Sequence, residues 1–206
     1  NCDNFNLKLS IVGTRPIEKI EIFDGLKLFK TFYTYSKIKE TNRIRVTCAG
    51  QYYRGRSRMV NWKCRAIFSR GKIKSFKPVN FWNPRKQPKK INTNTVDWTA
   101  VTTGGLASID FWLDDNCIDG EIAIKNNFKN LKINILNIIK KTRVFKFGGM
   151  DIRMVLSSMP SKLTQTKFDN FTKIKLKKNF QHRFYIKVTQ EDGHIAWSSP
   201  IYVKRN

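Results

Sequence analysis

RFYIKVTQEDGHIAWSSPIYV, residues 183–203, is the stretch whose reading decides the fold. Phe184, Ile186 and Val188 alternate with Tyr185, Lys187 and Thr189. Beyond the EDGH step, Ile195, Trp197, Ile201 and Val203 alternate with Ala196, Ser198 and Tyr202. A period of two sends every second side chain to one face, which is the signature of a half-buried strand. Asp192-Gly193 supplies the positive backbone angles of a tight turn. Pro200, with no N–H to give to a ladder, fits only at an edge or an outward position. The stretch therefore reads as a β-hairpin at the edge of a sandwich sheet, and the rest of the chain has to supply sheets that pair with it and cover it.

The first fifty residues supply the same kind of pattern. Phe5, Leu7, Leu9 and Ile11 alternate with polar neighbours, Gly13 to Pro16 breaks the run, and IEKIEIF and LKLFKTF flank Asp24-Gly25 as a hairpin. Ile44, Val46 and Cys48 alternate with Arg43, Arg45 and Thr47, a strand expected to show a cationic outer face. These pieces and the closing hairpin are too few to be stable separately and read as one immunoglobulin-like sandwich.

Between them, residues 59–158 repeat the alternation with turns every eight to twelve residues. Trp62, Cys64, Ala66 and Phe68 make one strand. PVNFWNPRKQPKK, with three prolines and four cations, marks an exposed loop. Ala107, Ile109, Phe111 and Leu113 make another strand. LKINILNII (131–139) fits a strand through Leu131, Ile133 and Ile135 and a helix stripe through Leu131, Ile135, Ile138 and Ile139; its β-branched content favours the strand. Residues 159–180 read as a polar return segment anchored by Phe168, Phe171, Ile174 and Leu176. The expected fold is all-β: an immunoglobulin-like β-sandwich of residues 1–49 plus 180–206, into which a jelly-roll-like β-sandwich with its return segment, residues 50–179, is inserted.

A chain of 206 residues buries roughly 70% of its unfolded surface, enough for one large or two modest β domains. It opens on Asn1 without a basic-then-apolar leader, so it reads as an excised piece, a processed product or a fragmentary gene product. No apolar run approaches the roughly 20 residues of a membrane-crossing helix. Forty Lys and Arg against 15 Asp and Glu give a net charge of +25, which invites a polyanion partner. Lys, Asn and Ile are abundant together throughout, however, which is the mark of AT-rich coding. A solvated basic surface is therefore expected, and nucleic acid is not.

Chemistry has few footholds in this chain. Cys2, Cys48, Cys64 and Cys117 are far apart and only two histidines are present, so zinc is not expected and free thiols in a reducing compartment are. Asp110, Asp114, Asp115 and Asp119 crowd around Trp112 but lack the DxDxDG spacing of a calcium loop, and read as loop carboxylates that pair with arginine. His194 beside Asp192 reads as a surface residue of a turn. QYYRGRSR (51–58) offers Arg54, Arg56 and Arg58 as phosphate forks, or as partners for Trp62, Asp114 and Asp115. Four of the five tryptophans fall on alternating patterns and read as core, and Trp82 in its loop is the exception.

The run VTQEDGHIAWSSPIYV, with YYRGR at 52–56, PVNFWNP at 78–84, VTTGG at 101–105 and FWLDD at 111–115, resembles the C-terminal β region of a bacterial family. In that family a PHP-type (polymerase and histidinol phosphatase) metal-dependent phosphoesterase domain comes first. The motifs keep the family's order over most of the chain; after Trp62 the resemblance implies a small acidic turn, where Lys63-Cys64 stands. What the resemblance implies is a noncatalytic accessory region with no metal or cofactor of its own. It would dock on the PHP-type catalytic domain expected N-terminal to it, or complete that enzyme's oligomer. Arg54, Arg56, Arg58, Trp82, Asp114, Asp115 and His194 are the candidate interface residues. The alternative is a polyanion- or carbohydrate-binding β module using the Arg54/Arg56/Arg58 loop and Trp82. A hydrolase site assembled from the acidic loops comes last.

Overall fold

The computed structural model describes residues 4–36 and 41–205; Cys2 lies outside them. The alternation becomes strands along nearly the whole chain. The first are β1 (Asn4–Val12), β2 (Ile17–Asp24), β3 (Lys27–Tyr33), β4 (Arg43–Gln51), β5 (Val60–Phe68) and β6 (Ile73–Val79). β7 (Lys89–Asn92), β8 (Thr95–Thr102), β9 (Leu106–Leu113), β10 (Glu121–Asn126) and β11 (Leu131–Asn134) follow, then the short helix α1 (Ile135–Lys140). The chain ends with β12 (Arg143–Gly148), β13 (Met150–Met159), β14 (Lys167–Lys175), β15 (Gln181–Gln190), β16 (Ile195–Trp197) and β17 (Ile201–Lys204). The fold is an all-β sandwich architecture of antiparallel sheets. The chain divides into two units, a terminal one of residues 1–36 and 162–206 and a central one of residues 37–161.

In the terminal unit, β16, β15, β2 and β3 form one sheet in that order, with β17 also on β15, and β1 pairs with β14. Leu7 and Leu9 of β1, Ile20 and Ile22 of β2, Ile174 of β14 and Phe184 of β15 meet in one core. Phe5 stacks on Phe184 with ring centroids 5.7 Å apart. The closing hairpin turns at Gly193, whose φ of +85° is the left-handed backbone that favours glycine. Its second arm is broken in two at Ser198–Pro200, where Ser198 gives its N–H to the Ile186 carbonyl and its Oγ accepts the Ile186 N–H. Pro200 sits in that break, outside any ladder.

Three expectations for this unit are corrected. Residues 167–175 form a strand, not an irregular return, paired residue for residue with β1 from Asn4↔Lys175 to Val12↔Lys167. Its inward row is Phe168, Asn170, Thr172 and Ile174, with two polar members, while Phe171 points out and is exposed; the alternation is real in geometry but blurred in hydropathy. The boundary at 49 also moves, because β4 pairs with β13 and β9 and so belongs to the central unit. Finally, Trp197 is 57% exposed, and Ile195 and Ile201 are exposed as well, since the outermost arm of the sheet lies beyond its core.

Polar groups fix the base of that arm. His182 donates from Nδ1 to Asp24 Oδ2 at 2.7 Å, a direction set by Nε2, which accepts the backbone N–H of Lys177 at 3.0 Å. Asp24 Oδ1 accepts the Arg183 N–H at 3.0 Å. Burial pushes the Asp24 carboxyl up, but the Arg183 N–H and His182 outweigh it and hold the group below its ordinary 3.8.

The central unit is two five-stranded sheets, β11-β10-β5-β8-β7 and β12-β13-β4-β9-β6, enclosing one core. Ile44, Val46, Ile109, Phe111, Met154 and Leu156 from one sheet meet Trp62, Phe68, Val96, Trp98, Ile122 and Ile124 from the other. β5 runs straight through Lys63-Cys64, so the acidic turn implied after Trp62 is not present. The 131–139 stretch is both of its readings in succession: a strand to Asn134, then a helical turn. Asn134 caps that helix by accepting the Leu136 N–H at 2.9 Å, and Ile135 and Ile138 are buried.

The outer face of β4 is cationic but not solvated. Arg43 is 1% and Arg45 7% exposed, and both close on Asp110 of β9, which is fully buried. Arg45 grips Asp110 with two bonds, Nε to Oδ1 at 2.7 Å and a terminal nitrogen to Oδ2 at 2.9 Å; Arg43 adds a third at 2.6 Å. Arg43 also donates to the Pro160 carbonyl and lies 4.5 Å over the Trp112 ring, while Trp112 Nε1 donates to the Ser161 carbonyl. Removing one member of such a buried group leaves uncompensated charge.

Two outcomes follow. Asp110→Ala is expected to lower unfolding stability in urea by about 3–5 kcal/mol; a loss under about 1 kcal/mol would mean the two guanidinium groups are satisfied without it. Asp24→Asn is expected to lower the melting temperature by a constant amount above the ordinary carboxylate value of 3.8, because a depressed carboxyl stabilises only while ionised. The difference between variant and parent shrinks as pH falls below that value, and a difference that stays flat through the acid range would refute the assignment.

Candidate functional site

The sequence-selected residues do not gather at one place. Arg54, Arg56 and Arg58 are exposed in the loop between β4 and β5, next to the Gln51 end of β4. Asp114 and Asp115 follow the other end of β9, because Arg43 pairs with Trp112 and Ala49 with Leu106; that separation is roughly 20 Å along the strand. Among the described residues none of the three arginines is in an ion pair with Asp114 or Asp115. His194 is exposed in the closing turn, its ring 3.1 Å from Asp192 in the same turn. Trp82 is 72% exposed, as its loop position implied.

Asp114 is a structural carboxylate. Its Oδ2 accepts the Lys72 N–H at 2.8 Å, closing the turn at Gly71 (φ +68°). A Cβ on Gly71 would strike the Asp114 carboxylate and come within 2.7 Å of Cys117 Sγ. Burial, then the Asp114 carboxylate, pushes the Cys117 thiol up to about 12. Cys48, also buried, is raised by burial and by Cys64 beside it; both of these, like Cys117, are free thiols. Among the described residues no three His, Cys, Asp or Glu side chains converge as metal ligands, and no helix is long and apolar enough to cross a membrane.

What the fold does assemble is a groove on the outer face of the β10-β5-β8-β7 sheet. Alternation sends Trp62, Cys64 and Ala66 of β5 into the core and therefore Lys63 and Arg65 out. Register places Lys125 of β10 beside Arg65, Arg65 beside Asp97 of β8, and Asp97 beside Lys89 of β7, a single row of charges across four strands. Arg65 holds Asp97 bidentately at 2.6 and 2.7 Å, and that guanidinium keeps the Asp97 carboxyl below the usual range. The loop between β6 and β7 brings Arg85 and Lys86 alongside. The result is a groove of about 740 Å³ lined by six cations and one carboxylate.

Sharing Lys63, Lys86 and Thr99 with the groove is a second hollow of about 450 Å³, with the aromatic residues Tyr52, Phe81 and Trp82 on its wall. Among the described residues Lys63, Arg85, Lys86, Lys89 and Lys125 are in no ion pair, because the one local carboxylate is taken by Arg65. The arrangement can hold oxyanions on five free cations and a flat ring face on Trp82.

Sequence reasoning found Trp82 and Tyr52's segment but missed Lys63, Arg65, Lys89 and Lys125. The signal for the first two was present, since they occupy the outward positions of a strand whose inward positions are all apolar. Which strands lie side by side, and hence that these cations form a row, is a matter of sheet order. Compared with known proteins, the chain matches no family model, no curated protein and no solved structure.

Proposed function

We propose that this chain is a noncatalytic β-sandwich binding module for an acidic polysaccharide, seated in the central unit's basic groove. The observation that carries the reading is the density of cations there: six of them line one groove whose single carboxylate, Asp97, is already held by Arg65. A surface made basic by coding bias alone would not combine that density with an aromatic hollow sharing three of its residues. Sulfate or carboxylate groups sit on Lys63, Arg85, Lys86, Lys89 and Lys125, and a sugar ring lies on the indole of Trp82. Arg54, Arg56 and Arg58 line neither hollow and contribute long-range attraction only. The finer class we assign is immunoglobulin-like for the terminal unit and jelly-roll-like for the central one. The central unit's strand path, which passes repeatedly between its two sheets, supports the latter; an experimental strand order of another kind would remove it.

The test is titration with heparin at about 0.15 M salt, where bulk charge attraction is screened beyond about 8 Å. Lys63→Glu with Lys86→Glu, and Trp82→Ala separately, are expected to weaken binding about tenfold each or more, and Arg56→Ala much less. Equal losses for all of these variants would reduce the interaction to background charge, and tighter binding of a single-stranded oligonucleotide of matched charge would turn the reading to nucleic acid.

A second reading keeps the resemblance to PHP-associated regions, in which the chain docks on a catalytic domain. It is favoured by β3, which among the described residues is an edge strand of the terminal unit's larger sheet, with Leu28, Phe29 and Tyr33 exposed on it. In that reading the purified chain binds a PHP-type domain in sedimentation experiments, and Phe29→Lys abolishes the complex. A complex unaffected by that change would exclude β3 as the docking edge.

A further inference from the structure

The terminal unit's larger sheet has an outward face that its core does not use, and this face is built from rings set between charges. β15 presents Arg183, Tyr185 and Lys187 there, and β2 presents Glu21 and Phe23. Tyr185 stands opposite Phe23, and their rings stack 5.2 Å apart at an interplanar angle of 4°. Trp197 of the edge strand lies 5.9 Å from Phe23 and 5.8 Å from Tyr185, so three rings make one surface. Trp197 is opposite Lys187 and Tyr202 opposite Arg183, which spaces the two edge rings about 13 Å apart. Tyr202 is 61% exposed. Between Tyr185, Pro200 and Tyr202, with Gln181 and Arg183 at its rim, is a depression of about 520 Å³.

We propose that this face binds a linear neutral polysaccharide. A pyranose ring has a flat face of C–H bonds and a rim of hydroxyls. Rings separated by hydrogen-bonding side chains on one plane match both parts of it, whereas an aliphatic face would match only the first. The rings are already ordered: Lys187 Nζ lies 5.3 Å over the Trp197 ring, and Glu21 anchors Lys187 and Lys19 at 3.5 and 2.9 Å. A ligand therefore meets a surface that loses little side-chain freedom on binding.

The same charges argue against a second copy as occupant. A two-fold contact through this face would bring Arg183 and Lys187 of both copies together. The site differs from the basic groove in unit, residues and ligand charge, so it stands or falls separately from the acidic-polysaccharide reading.

The experiment is native affinity electrophoresis toward the cathode in gels containing hydroxyethyl cellulose, neutral arabinoxylan or glucomannan, probes without ionised groups. The wild-type chain is expected to be retarded by at least one of them. Trp197→Ala and Tyr202→Ala should each weaken that retardation about tenfold, Trp197→Phe should keep most of it, and Phe171→Ala, at an exposed ring elsewhere on the terminal unit, should leave it unchanged. Because both edge rings are exposed, melting temperatures within a few degrees of the wild type are expected for these variants. Absence of retardation in all three gels, or retardation that survives the double Trp197→Ala/Tyr202→Ala change, overturns the proposal. A wild-type dimer in sedimentation equilibrium that Trp197→Ala converts to monomer also overturns it and assigns the face to a second copy.

Discussion

Two arginines closing on one carboxylate hold the middle of the central unit together. Asp110 of β9 meets Arg43 and Arg45 of β4, the central strand of its sheet, with all three side chains taken from water. Desolvating three charges is expensive, and close geometry together with the Pro160 carbonyl only offsets that cost. What the group gains beyond energy is register. Sliding β9 by one residue against β4 would turn Asp110 into the apolar core and bring Ile109 out, so the pairing that carries the core is the one that keeps the charges matched.

The two sheets of the central unit treat their outward charges in opposite ways. One hides two arginines behind a carboxylate and a tryptophan; the other lies under a groove in which one carboxylate is matched by its neighbour and five cations remain in no ion pair among the described residues. The contrast is what makes the second face informative. A uniformly basic chain would treat both faces alike, and here the difference lies in where the 15 acids fall, more than in where the 40 cations do.

Much of this was legible in the sequence. Strict alternation around Trp62, around Ile109 and in the closing hairpin was enough for the all-β class and for most of the core, because period two in hydropathy and period two in geometry coincide there. It failed where they part. β14 keeps its geometry but places Asn170 and Thr172 inward and Phe171 outward; residues 131–140 change period at Asn134, whose side chain starts a helical turn inside what reads as one strand. Arg43 and Arg45 read only as a cationic outer face, because the counter-ion that buries them lies 65 residues or more away in the chain. Trp82 could be singled out from its loop composition alone. The groove beside it could not, since a row made from β7, β8, β5 and β10 exists only once the strands are ordered in space.

The terminal unit is drawn from both ends of the chain, and this has a consequence for biosynthesis. β1 to β3 leave the ribosome long before β14 and β15 exist, so Leu7, Leu9, Ile20 and Ile22 have no sheet to cover them while the whole central sandwich is being made. At about 5–20 residues per second the interval is many seconds, far longer than hairpin formation requires. A nascent β2-β3 hairpin with two open edges must wait through it. The lysines at 19, 27 and 30, which keep such an edge soluble and repel its copies, would serve the chain most during that wait, before the native fold has formed.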